Sequence, residues 1–304
     1  MVTPDNWERL GFRHGARKQY DISLTGGSDK MQYYLSLGYL DNEGIAYNSD
    51  FNRITVRAKA DYEALKWLRV GTNVNFSRTK YHSITSDDNG LFYQINNMAP
   101  IYPAFIRDGA GNIMTDENGP MYDYGDGSLI GYVRPILPNN NPLQENKLNT
   151  SSSKNNMYSF FGYADIMPID GLKITLNGTL TSYDSRGTDA TQPFYGYSRT
   201  AYPTGFVSRS SDQTYSYNFQ QLVNYHHEFG HHHMEILLGH EFYRSRYENL
   251  FGAKTGMASY FTNQTLAGAI KLDTTGENGN SAYESEGFFA RGQYAVSYTH
   301  LTLP

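Results

Sequence analysis

Strict alternation of apolar and polar residues constrains this chain more than any other feature. Four runs of it lie between Arg17 and Ser77. In the run Arg53 to Tyr62, residues Ile54, Val56, Ala58, Ala60 and Tyr62 fall on one face, while Arg53, Thr55, Arg57, Lys59 and Asp61 fall on the other. Successive strand side chains point to opposite sides, so such a ribbon faces two different solvents. A soluble sandwich strand satisfies the same pattern. The length of the runs and the rhythm of the connections tilt the reading toward a membrane barrel.

The runs resolve into about nine strands when the expected ~9–11 residues per membrane-crossing strand is applied. They lie near 18–25, 31–40, 53–62, 68–77, 160–166, 172–181, 215–225, 234–242 and 288–298. Between them, short turns such as Gly26-Gly27-Ser28-Asp29, Pro168-Ile169-Asp170-Gly171 and Phe229-Gly230-His231-His232 take turns with long excursions. Outer-membrane barrels have short periplasmic turns and long extracellular loops. The predicted organisation is a lead-in over 1–16, a partial barrel over 17–298 with long loops at about 81–155, 184–213 and 248–285, and a non-native tail over 299–304. Within the first loop, Asp87-Asp88 is placed to cap a short helix running through Asn97 and ending before Pro100. Asp108-Gly109-Ala110-Gly111 marks a small hairpin.

Composition removes several classes. There is no cysteine, which excludes a disulfide scaffold, a zinc finger and a cysteine nucleophile. A net charge of -5 gives no basic field for nucleic acid. No segment approaches the ~20 apolar residues of a membrane helix. A mean hydropathy of -0.60 does not argue against a barrel, because lumen-facing residues and polar loops dilute the lipid-facing ones. Met1 to Asp5 lacks the charged and apolar regions of a secretory signal, so an exported protein would hold this chain as an internal piece.

The runs Leu24 to Lys30 and Tyr33 to Ile45 resemble TonB-linked outer-membrane transporters of the SusC/RagA type. The resemblance continues through Phe51-Asn52-Arg53, Leu68 to Asn73, Ala99 to Pro103, Gly171-Leu172-Lys173 and Gly239-His240-Glu241. It implies an all-β, antiparallel transmembrane barrel of which this chain supplies a part, sited in the outer membrane and in contact with its lipid. It also implies a SusD-like surface lipoprotein as partner, the TonB complex acting through an N-terminal region absent here, and an oligosaccharide or peptide as cargo. No cofactor, metal or nucleic acid is implied. The rival reading is a secreted β-rich glycan-binding or adhesin module without a pore.

Two sets of residues are candidates for contact with cargo or partner. Tyr122, Tyr124, Tyr132, Tyr195 and Tyr197 lie in Gly- and Pro-rich segments. There an exposed phenol combines an apolar face with a hydrogen-bonding tip. Arg53, Arg57, Lys59 and Asp61 are the lumen-facing candidates. The segment His227-Glu228-Phe229-Gly230-His231 matches the H-E-x-x-H zinc-protease pattern. That chemistry needs both histidines one turn apart on a helix. Alternation on both sides places the motif on a strand end and a turn instead, and no catalytic residue is expected.

Overall fold

The computed structural model describes residues 5–84, 90–116, 119–127, 131, 133–192, 204–257, 264–277 and 281–296. The long strands are β1 (Arg17–Gly27), β2 (Met31–Glu43), β3 (Asp50–Leu65), β4 (Leu68–Ser83), β7 (Thr150–Ile169), β8 (Leu172–Thr191), β9 (Phe206–Phe229), β10 (His232–Met257), β11 (Ala269–Glu277) and β12 (Ser281–Val296). A two-residue pair, β5 (Thr115–Asp116) and β6 (Gly119–Pro120), forms its own small sheet. Three short helices are α1 (Trp7–Gly11), α2 (Leu91–Asn97) and α3 (Pro142–Leu148).

The long strands make one antiparallel sheet in the order β1-β2-β3-β4-β7-β8-β9-β10, with β11 and β12 sharing the last position. β12 pairs with β10 from His232 to Tyr247, and β11 takes over from Leu250 to Met257. Neighbours in the sheet are thus neighbours in the chain, and each hairpin continues the last. Among the described residues the sheet has nine strand positions, counting β11 and β12 as one, which matches the sequence estimate. The sheet is open at β1 and at β11/β12.

The tight turns fall where alternation breaks. Ser28 and Met31 close the β1–β2 turn at 2.7 Å. Gly171 (φ +79°) and Gly230 (φ +62°) adopt the left-handed backbone that the β7–β8 and β9–β10 turns require. All four tight turns lie at one end of the sheet, and the long connections gather at the other.

The strands run further than their sequence pattern. Expected loop residues 184–191 belong to β8, 206–213 to β9, 248–257 to β10, and 269–277 and 281–285 to β11 and β12. β4 continues to Ser83, and β7 begins at Thr150 rather than near Asn156. The backbone ladder persists there because it needs only main-chain groups. The alternation fades there, so the side-chain pattern does not report these strand ends.

The apolar face of the sheet is not covered. Ile22 is 68% exposed, Leu24 57% and Leu37 48%, with Tyr20, Leu35, Tyr39, Ile54, Phe160 and Leu238 also exposed. A soluble sandwich would bury this face against a second sheet. The buried clusters lie elsewhere, at the long-loop end: Trp7, Ala46, Leu91, Ile95, Met98 and Ala104 form one, and Ala190, Val207, Met257 and Ala269 another.

Candidate functional site

Two features stand out: the polar face of the sheet, and a folded cap at the long-loop end. On the polar face, strand pairing sets Arg53, Arg57, Lys59 and Asp61 in one column of β3. Asp61 is paired, with Lys59 Nζ at 3.1 Å and Arg69 at 4.0 Å, and its carboxylate side chain is only 12% exposed. Tyr163 donates its hydroxyl to the same carboxylate at 2.5 Å, although it lies two strands away. It reaches because Gly71 stands between them in register, opposite both Asp61 and Tyr163. A Cβ at Gly71 would lie 2.2 Å from the Tyr163 ring. Lys173 and Thr175 hold Asp165 in the same way, at 2.9 and 2.7 Å. Arg53 and Arg57 are exposed and make no ion pair among the described residues.

The cap grows from segments read above as lead-in and loop. The described part of the lead-in, residues 5–16, carries a helix: α1 buries Trp7, whose indole donates to the Tyr102 carbonyl at 3.0 Å. Asp5 accepts from the Ala104 amide at 2.8 Å and from Arg107 at 2.6 Å. α2 forms as the sequence predicts, ending at Asn97. Its proposed caps Asp87 and Asp88 lie outside the described residues. Asn141 is fully buried at 0% exposure and bonds three ways. Its amide donates to the carbonyls of Ala104 and Asp123, and its oxygen caps α3.

Arg134, 2% exposed, is the polar centre of this cap. Its guanidinium donates to the carbonyls of Leu137, Tyr124 and Asn140 and sits 5.7 Å from the Tyr102 ring centroid. Burial lowers its pKa, and nearby Asp123 works in the opposite direction. Gly125, at φ +62°, leaves room for it, since a Cβ there would fall 2.5 Å from Arg134 Nε.

A cleft of about 300 Å³ opens beside this core, lined by Leu10, Tyr47, Phe105, Tyr122, Leu143 and Lys147. Tyr122 packs on Phe105 with ring centroids 5.1 Å apart, and burial raises its phenol pKa. Of the loop tyrosines singled out in the sequence, Tyr122 lines this cleft. Tyr124 is half-buried and offers its carbonyl to Arg134. Tyr132, Tyr195 and Tyr197, like the tail 299–304, lie outside the described residues. Sequence reading missed Trp7, Arg134 and Asn141. The pair Asn141-Pro142 carried a usable signal, a capping side chain followed by proline at the first helical position.

The H-E-x-x-H segment has no helix under it. His227 and Glu228 are consecutive on β9 and therefore point to opposite faces, and His231 lies in the turn. The His227 ring stacks between Tyr225 and Phe229, at 6.2 and 5.9 Å, in a row that continues through His232 to Tyr294. This is a row of stacked rings at the short-turn end of the apolar face, and it lacks the helix that would bring two histidines onto one metal.

No family model matches the chain. A TonB-dependent receptor of Formosa agariphila is 25% identical over 92% of the chain, and a second receptor of that organism is 26% identical over 52% of it. Among solved structures, a RagAB peptide transporter superposes on 96% of the chain with a TM-score of 0.75 at 22% identity. The ferric citrate transporter FecA superposes on 93% with a TM-score of 0.53 at 8% identity. The chain is similar to part of the barrel of TonB-dependent outer-membrane receptors. It spans 26% of the first of those receptors, 13% of the second, and 32% of the RagAB chain. In a barrel of that kind the uncovered apolar face is the lipid-facing wall, and the short-turn end is periplasmic. Its relatives are receptors and transporters, a non-enzymatic class.

Proposed function

We propose that this segment is part of an importer of large nutrients, peptides or oligosaccharides, that works with a SusD-like surface lipoprotein and is driven through TonB. The folded cap is the observation that carries this reading. Its aromatic cleft around Tyr122 and Phe105 offers flat apolar surface beside the polar groups of Asn146 and Lys147, which suits a sugar ring, a peptide or the surface of a partner. The polar face lines the passage below. Arg53 and Arg57 stand free to meet solute, whereas Lys59 and Asp61 are committed to each other and to the wall. The superposed RagAB protein is a peptide transporter, which favours peptide cargo over sugar.

The test uses the full-length receptor that contains this segment, expressed in cells with its neighbouring lipoprotein. Tyr122→Ala with Phe105→Ala is expected to reduce uptake of fluorescent oligopeptides, or pull-down of the lipoprotein, about ten-fold or more, while leaving outer-membrane levels unchanged. Unaltered uptake and unaltered pull-down would remove the cap from the capture step.

A further inference from the structure

The lipid-facing wall carries a row of cations that the import function does not use. Lys80 on β4 is the direct partner of Lys154 on β7, and Lys154 is the direct partner of Arg186 on β8. The side chains share one face, the same as Phe76, Tyr158 and Leu180. Arg78 lies two residues below Lys80 on that face. All four are exposed, and none makes a hydrogen bond or ion pair within the described residues. Like charges directly opposite on adjacent strands repel across roughly 5 Å. Asp184 shares their face, opposite Asn156 and two residues from Arg186, but forms no ion pair with any of the four among the described residues, and Asp50 is bonded to His82 at 2.7 Å. On β10, by contrast, the outward cations are neutralised, Arg244 by Glu284 at 3.0 Å and Arg246 by Glu248 at 2.9 Å.

Height identifies what faces the row. Phe76 and Tyr158, with ring centroids 5.0 Å apart, mark the upper aromatic girdle. Lys80 and Lys154 lie four residues beyond them along their strands, which places their Cα atoms about 10 Å above the girdle for a strand tilted ~40°. The headgroup layer extends about 5–8 Å beyond the hydrocarbon, so the long side chains of the row reach down into it from just above.

We propose that Lys80, Lys154 and Arg186, assisted by Arg78, form a binding site for the phosphate of a phosphorylated glycolipid in the outer leaflet. Arginine and lysine on three strands present converging donors to one anion, and the sheet keeps them at fixed spacing. The inference rests on the outer-membrane placement, not on the cargo. The full-length receptor in detergent is titrated with lipid A carrying its phosphates and with the same lipid dephosphorylated, and bound lipid is counted by native mass spectrometry. The wild-type protein should retain the phosphorylated form preferentially and lose that preference at high salt. Lys154→Gln should weaken retention about five-fold and the combination Lys80→Gln, Lys154→Gln, Arg186→Gln about a hundred-fold. Lys66→Gln, at the periplasmic turn, should change nothing. Heat-modifiable gel migration reports barrel formation for each variant, so a misfolded wall is told apart from a lost site. Equal retention of both lipids, or a folded triple variant that binds as the wild type does, would overturn the proposal.

Discussion

Gly71 illustrates how a single residue shapes the wall of this barrel. It is not needed for a turn; its lack of a side chain lets Tyr163 cross a whole strand to reach Asp61. Gly71→Ala should push the Tyr163 ring aside, break the bond to Asp61 and destabilise the barrel by about 1–3 kcal/mol. Adding Tyr163→Ala should cost less than the sum of the two single changes, because the clash disappears with the ring. Urea unfolding of the inserted protein measures both, and strictly additive costs would contradict the arrangement. Gly71 is readable in the sequence as a strand glycine. The partner it makes room for is not, since Asp61 and Tyr163 are 102 positions apart.

At the scale of elements, the sequence is legible where two solvents meet and opaque where only one does. The lower halves of β1 to β4, β7 to β10 and β12 announce themselves by alternation, because hydrocarbon lies on one side and water on the other. The upper third of β9, Phe206 to Gln213, reads Phe-Val-Ser-Arg-Ser-Ser-Asp-Gln, which has the composition of a loop yet forms ladder all along β8 and β10. The cap was opaque for another reason: its core joins residues near 7, 46, 95 and 104, and no local period reports that. The hairpin at Asp108 was legible, since Asp and Gly have turn chemistry of their own. Its carboxylate accepts from the Asn112 side chain and from the Ala110 and Asn112 amides, and these bonds, that from the Asn112 side chain foremost, lower its pKa. A depressed carboxylate pKa stabilises the fold above the ordinary Asp range and gives that stability up as pH falls through the folded-state value. Exchange protection of the Ala110 and Asn112 amides should therefore be held at neutral pH and lost on strong acidification. In Asp108→Asn the pH dependence should be absent.

For the whole molecule, the division of faces governs what each position tolerates. Leu35 and Ser36 are adjacent on β2, one on the lipid-facing wall and one on the polar face. Leu35→Lys should cost about 2–4 kcal/mol of stability in a bilayer, and Ser36→Lys, whose added penalty is a like charge opposite Arg57, about 1 kcal/mol or less. Unfolding titrations in liposomes compare them directly, and equal costs would mean that the two faces do not see different media.

The overlong strands also separate capture from the bilayer. β10 runs fifteen residues past Phe242, from the upper edge of the belt to Met257. At ordinary rise and tilt this is on the order of 40 Å of wall above the hydrocarbon, most of it clear of the headgroups. The ionic atmosphere of physiological saline dies away over about 8 Å, so the charge of the membrane surface is extinguished several times over at that altitude. An anionic solute arriving at the mouth is thus spared the repulsion it would meet at the bilayer itself, and its docking is governed by the rim alone.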